Sequence, residues 1–320
     1  MDSYIINMNL LEFTILNVPV SGATILMNIF FVYCMFFPEN RPENNLKPPL
    51  NVLLGSLIGC NLTLNVFNLL FVFYDHFYPA SWVYTISYAI TMYAMRTSFT
   101  TSTGLNMFYY FQIVPAQLPF LVWVRTHIKV FMYLALLFDR IFFLFEFILQ
   151  LMYPWEGPVP AVDLNSTSVQ MNITNEKTSV MYLLLTTDFW LKCVYFFFCL
   201  VIMLASSSGT VLYLRSHMKS VEENTSSFSS LHHQRQMRVT IMGIIQMVLF
   251  FLCSGWLIAE ELIIYYFVER FDQGEYLFDS VVALYSLGTT IVLGFAQTTF
   301  RLRVKDIGGK LLRTLKFSSD

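Results

Sequence analysis

Long apolar runs alternate with short polar stretches along the chain. Seven runs stand out: Leu10–Phe37, Leu50–Tyr74, Trp82–Ile113, Ile128–Tyr153, Val180–Tyr213, Val239–Val268 and Leu277–Phe300. Each exceeds the ~20 residues that a helix needs to cross a hydrocarbon core of ~30 Å. A barrel strand needs only ~10 residues of alternating polarity, so the runs predict helices. Turn-forming stretches fall between them, such as "PENRPENNLKPP" after the first run and "YPWEGPVPAVDLNSTSVQMNITNEK" after the fourth. The pattern predicts an all-α membrane protein, a seven-transmembrane helix bundle built as a single domain over residues 1–320. Residues 301–320 form a basic tail.

Composition agrees. The 320 residues are 56% hydrophobic and 12% charged. A soluble domain carries ~25% charged residues, so this chain has too few to cover a water-facing surface. The opening "MDSYIINMNL" lacks a basic start and a small-residue cleavage site, so the first span is expected to act as an uncleaved anchor. Cys34, Cys60, Cys193, Cys199 and Cys253 all fall in apolar runs and are expected to pack as small hydrophobes without a disulfide.

Charge placement orients the bundle. Cytoplasmic loops carry the excess of Lys and Arg. With the C-terminus inside, that side holds Arg41, Lys47, Arg125, Lys129, Arg215, Lys219, Arg235, Arg238, Arg301, Arg303 and Lys305, while the opposite loops hold only Lys177 and Arg270. An odd number of spans then puts the N-terminus outside. The sequons at Asn165 and Asn172 lie in the long loop after the fourth span, which this topology exposes outside, and are the expected glycosylation sites. In the tail, Ile307, Leu311 and Leu315 recur every four residues with Lys310, Arg313 and Lys316 off the stripe. That spacing suits a short amphipathic helix on the anionic inner leaflet.

Ionisable groups inside spans are costly and face the bundle interior. Arg96 precedes Gln112, near the inner end of the third span, by 16 residues, or ~24 Å of helix, which places it in the outer half. It suits an anionic or carbonyl-bearing ligand, or an internal acid. Asp188 and Lys192, at i and i+4, can pair with each other or open for a polar ligand. Glu260 near the outer end of the sixth span reads as a pocket rim or a solvated helix end. Trp256 either lines an outer cavity or packs. Asp139 and Arg140 are adjacent, so they point ~100° apart on a helix and take different partners. No glycine-rich phosphate loop, HExxH or serine elbow occurs. The expectation is no enzyme, no metal, no cofactor and no nucleic acid.

The third span ends in "GLNMFYYFQI", with Asn106, Tyr109, Tyr110 and Gln112 where a span meets cytosol. Together with the following "VPAQLPFLVWVRTHIKV", this resembles the bitter taste receptor type 2 family of G-protein-coupled receptors at Leu105, Phe108, Tyr109, Ile113, Phe120, Leu121 and Arg125. Asn28 in "MNIFFV", the His/basic entry "LHHQRQMRV" and the ending "TTIVLGFAQTTFR" are similar to the family too. Gln112, Asn61 and Gln297 replace the family's Lys, Arg and Asn, which marks a divergent member. The resemblance implies a chemosensory receptor in the plasma membrane. It binds a small-molecule agonist and activates a heterotrimeric G protein of gustducin-like or inhibitory class. Family pocket positions align near Thr91 and Met95. With them, Arg96, Asp188, Lys192, Trp256 and Glu260 are the expected ligand contacts, among spans three, five, six and seven. Tyr110, Gln112, Arg125, Lys129, Arg235 and Arg238 are the expected G-protein contacts. Vomeronasal type 1 receptors are the nearest alternative, and a small-solute transporter or channel the more distant one.

Overall fold

The computed structural model describes residues 8–37, 48–77, 81–115, 119–152, 170–222, 230–267, 276–297, 300–306 and 308–309. Among these, every regular element is helical. The helices are α1 (Leu10–Phe36), α2 (Pro48–Phe77), α3 (Ser81–Ile113), α4 (Pro119–Thr126), α5 (Ile128–Met152), α6 (Gln170–Glu222), α7 (Ser230–Phe267) and α8 (Tyr276–Ala296). Asn165 and the tail positions Ile307, Lys310, Leu311, Arg313, Leu315 and Lys316 lie outside the described residues.

Five helices, α1, α2, α6, α7 and α8, hold stretches long and apolar enough to cross a membrane. The other two long helices are more polar for identifiable reasons. α3 carries Arg96 and then Thr97, Ser98, Thr100, Thr101, Ser102 and Thr103; α5 carries Asp139, Arg140 and Glu146. Both are positions of packing: α3 contacts α2, α5, α6 and α7, and α5 packs on α3 and α2. Around this hub, α1 contacts α2 and α8, and α8 contacts α7 and α2, closing the bundle.

Helix ends depart from the apolar runs in two places. α6 is helical from Gln170, so the backbone at Asn172 belongs to this helix rather than to a loop. No Gly or Pro interrupts the chain between Gln170 and Ser208. The last apolar run extends to Phe300, yet α8 stops at Ala296 and a separate helical turn covers residues 300–306. Phe300 turns inward and stacks on Phe31 at 4.3 Å. Arg303 Nη2 donates to the Phe37 carbonyl at 2.7 Å, satisfying an oxygen at the end of α1.

An amide ladder joins α1 and α2 to α8. Asn17 Nδ2 donates to the Phe13 carbonyl at 3.0 Å and to Ser280 Oγ at 2.7 Å. Asn28 repeats the arrangement with the Thr24 carbonyl and Thr290 Oγ1, and Asn65 with the Asn61 carbonyl and Ser286 Oγ. Asn61 Nδ2 donates to Thr289 and Thr290, each at 3.1 Å. Asn68 Nδ2 reaches the Asp279 carbonyl at 2.9 Å. These side chains are at most 4% exposed. From Ser280 to Thr290 the ladder runs ten residues, or ~15 Å along α8. At Asn17, Asn28 and Asn65 the amide donates both to its own helix's carbonyl and to a hydroxyl on α8, so one group bonds two acceptors within the bundle.

Thr290 accepts from two amides and is the rung whose loss costs most. Thr290→Val keeps the shape and strands two buried donors, a change expected to destabilise by roughly 1–3 kcal/mol. Thermal unfolding in nanodiscs checks it: a clear drop in Tm is expected, larger than for Asn65→Ala, where donor and amide leave together. An unchanged midpoint for Thr290→Val removes the ladder from the stability of the bundle.

Candidate functional site

Three of the expected ligand contacts converge on one cleft. Arg96 reaches it from α3, Phe142 and Phe143 from α5, and Asp188, Leu191, Lys192 and Tyr195 from α6. Helical spacing explains the α6 contribution, since 188, 192 and 195 lie at i, i+4 and i+7 on one face. Lys192 Nζ sits 2.7 Å from Asp188 Oδ2 in the acid-first order that a helix favours. The pair is only partly buried. The Arg96 guanidinium lies 5.8 Å from the centre of the Phe143 ring, a cation–π arrangement. Phe143 also meets Tyr195 edge-on at 5.1 Å.

Beneath the cleft the polar contacts continue inward. The Tyr195 hydroxyl donates to the Arg96 carbonyl at 3.3 Å. It also meets Thr100 Oγ1, which in turn donates to Asp139. Asp139 is buried. Its neighbour Arg140 turns the other way, donating to Ser56 on α2 at 2.6 Å, with its guanidinium 5.9 Å from the Tyr93 ring. The adjacent charges thus take partners on different helices, as their angular separation requires.

The remaining expected ligand contacts do not line this cleft. Thr91 and Met95 are buried on α3. Met95 packs in an apolar cluster with Phe99, Phe196, Phe250, Leu257 and Tyr285. Phe99 is its centre, meeting Phe196, Phe250 and Tyr285 edge-on at 4.9–5.6 Å. This aromatic cluster packs on the helices from which the sequence draws its ligand contacts. The cleft lies between α3, α5 and α6. Trp256 is half-buried on α7, and Glu260 is buried rather than a solvated helix end.

At the other end of α3, the "GLNMFYY" stretch docks three helices. Asn106 Nδ2 donates to the Gly243 carbonyl on α7 at 3.3 Å. Tyr109 accepts from Gln297 Nε2, just beyond α8. The Tyr110 ring lies against Gly209 on α6. A Cβ at 209 would come within 2.6 Å of that ring, and one at 243 within 2.5 Å of Asn106 Oδ1, so both close approaches require glycine. Sequence reasoning singled out Asn106, Tyr109, Tyr110 and Gln297 from this set but not Gly209 or Gly243. Gln112, Arg125 and Lys129 are exposed and Arg238 is half-buried. The side chains of Glu146, Asn172 and Arg235 lie outside the described residues.

Comparison with known proteins turns this geometry into a family. The sequence profile of a family described as taste receptor protein (TAS2R) matches residues 7–307. The chain belongs to the TAS2R taste-receptor family. No curated protein matches it. As a TAS2R member it is a membrane-embedded receptor of the G-protein-coupled, sensory-transduction class and not an enzyme. Small-molecule ligands and G-protein coupling follow for the family. The match lends no support to the vomeronasal or transporter alternatives.

The Asp188–Lys192 pair has a testable signature. Removing one partner strands the other charge, whereas removing both does not. Asp188→Asn and Lys192→Met singly are each expected to cost on the order of 1–3 kcal/mol, between the exposed and buried extremes. The double variant is expected to cost less than the sum. Additive single effects in a double-mutant cycle on thermal stability exclude a working pair.

Proposed function

We propose that this TAS2R member is a bitter-type chemosensory receptor of the plasma membrane, crossing it seven times with the N-terminus outside and the basic tail in the cytosol. A small molecule binds in the outer half of the bundle at the cleft of Arg96, Asp188 and Lys192, and the remaining ligand contacts, Thr91, Met95, Trp256 and Glu260, act from outside that cleft. At the inner end, Tyr110, Gln112, Arg125, Lys129, Arg235 and Arg238 receive a heterotrimeric G protein of gustducin-like or inhibitory class. Asn165 and Asn172 carry glycans on the outer side.

The observation that carries this reading is the double engagement of α3 and α6. The same two helices meet at the cleft through Arg96, Tyr195 and Thr100, and at the inner end through Tyr110 and Gly209. Arg96 and Tyr110 are 14 residues apart, or ~21 Å of helix. A ligand that binds one arrangement of α6 against α3 more tightly than another shifts the population between them. Packed helix interfaces switch between discrete arrangements, so a small displacement at the cleft is transmitted to the glycine contacts. Opening those contacts separates α6 and α7 from α3 and admits the G protein.

The test is ligand-triggered calcium release in cells supplied with a promiscuous G protein, screened with bitter compounds. Arg96→Ala is expected to shift agonist potency about tenfold or more at unchanged surface expression, the loss of one charge-assisted contact. Arg125→Ala combined with Arg238→Ala abolishes the signal while binding persists. Substrate flux in vesicles lacking a G protein, with no calcium response to any compound, would overturn the reading.

The inner contacts make a separate prediction. Gly243→Ala forces Asn106 off α7 and is expected to raise agonist-free signalling several-fold per receptor at the surface, since it loosens the resting arrangement. Unchanged basal signalling with normal expression leaves Gly243 a packing residue only.

A further inference from the structure

The amide ladder between α1, α2 and α8 is satisfied on its nitrogen side only. Asn17, Asn28, Asn61 and Asn65 are fully buried. Both hydrogens of each amide are taken. Asn17 and Asn28 each give one to a carbonyl of α1 and one to a hydroxyl of α8. Asn65 does the same from α2, and Asn61 gives its two to Thr289 and Thr290. The Oδ1 atom of each of these amides has no hydrogen-bond partner among the described residues.

Flipping the amides does not supply one. A main-chain carbonyl only accepts, so the group that faces it at Asn17, Asn28 and Asn65 is the nitrogen. Thr289 donates its own hydrogen to the Ser286 carbonyl at 2.9 Å, so towards Asn61 it can only accept. Ser280 likewise donates to the Tyr276 carbonyl at 2.7 Å. A bare buried oxygen is as costly as a lost hydrogen bond, so these atoms call for an occupant from outside the chain.

Three of the oxygens belong to one level of the bundle. Asn28 and Asn61 meet at a single atom, Thr290 Oγ1, at 2.9 and 3.1 Å. Asn65 lies one turn of α2 from Asn61 and bonds its carbonyl at 2.7 Å. Asn17 sits apart, ~16 Å nearer the start of α1, beside Ser280. At that end of the seam Asp279 places a buried acid. An acid there draws cations towards the ladder.

The chemistry of the occupant follows. Water brings hydrogens, but also lone pairs that want donors, and the amide donors beside it are already taken. A cation asks only for acceptors. Amide oxygens are hard and neutral, which suits an alkali-metal ion rather than a soft metal or a divalent ion held by carboxylates. Carbonyl-type oxygens on packed helices replace the hydration shell of such ions inside membrane proteins. A narrow seam between close helices favours the smaller ion.

We propose that the seam of α1, α2 and α8 holds a sodium ion on the Oδ1 atoms of Asn28, Asn61 and Asn65. The site has none of the His, Cys or carboxylate spacing by which a sequence announces a metal. The ion bridges α1 and α2 where both bond α8. It is independent of the ligand cleft and of G-protein coupling.

Thermal unfolding of the full-length protein in phosphatidylcholine nanodiscs tests the site with no agonist or G protein present. Sodium chloride is titrated to ~150 mM, with choline chloride holding the ionic strength constant. An ion that binds the folded state stabilises it by mass action, so Tm is expected to rise by about 2–4 °C and level off. Potassium should give a smaller rise, and choline none. Asn61→Asp keeps the shape and turns a full negative charge on the ion, so the sodium concentration at half the rise should fall about tenfold. Asn61→Leu removes the oxygen, and the rise with sodium should vanish whatever the variant's own Tm. If Asn61→Leu fails to fold, Asn61→Asp carries the test. A Tm indifferent to the cation present overturns the site. So does a sodium response that Asn61→Asp or Asn61→Leu leaves unchanged, since the ion then sits elsewhere. Potassium matching sodium overturns the assignment to sodium.

Discussion

Within hydrocarbon a polar group has no water to fall back on, and the whole bundle is arranged around that constraint. α1, α2 and α8 meet through amides that reach across the seam, and three of them, Asn17, Asn28 and Asn65, also bond a carbonyl on their own helix. α3 carries a dense run of hydroxyls, and it packs against α2, α5, α6 and α7. Thr97, Thr100, Thr101 and Thr103 bond back to the preceding turn, and Thr100 also reaches Asp139 and Tyr195. Polar side chains that would be a liability on a lipid-facing helix become the means by which a central helix is held in register.

The same constraint decides where charge can accumulate. Asp139 and Arg140 are each committed to a different helix, which ties α5 to α3 on one side and to α2 on the other. Asp188 and Lys192 answer each other within α6. Arg96 lies over an aromatic ring. Arg96, Asp188 and Lys192 line one cleft, and Asp139 joins it through Thr100 and Tyr195. Chemistry and architecture therefore share residues, and α3 connects the cleft to the inner face without any intervening loop.

Close packing sets the other half of the design. Phe99 and its ring partners fill the centre of the bundle. Gly209 and Gly243 let Tyr110 and Asn106 approach α6 and α7 more closely than any larger residue permits. Polar rungs hold α1 and α2 to α8, and glycine contacts hold α3 close to α6 and α7.

Much of this was legible along the chain. Run length showed that the protein is helical and made for a membrane, because crossing hydrocarbon is a one-dimensional demand on consecutive residues. The motif around Phe108 and Tyr109 pointed to the family, and i, i+4 spacing brought Asp188 and Lys192 together. Asn28 and Asn61 were visible as polar positions, but nothing in their spacing shows that both bond Thr290. The run to Phe300 concealed a break after Ala296, because hydropathy does not register the turn that sends Phe300 onto Phe31. The cleft itself could not be placed: Phe142 and Phe143 look like any other phenylalanines in α5, and Met95 and Trp256 looked as good as Tyr195. Periodicity says which residues share a face of one helix. Which neighbour that face meets depends on the rotation and packing of every helix at once, and only the folded bundle decides it.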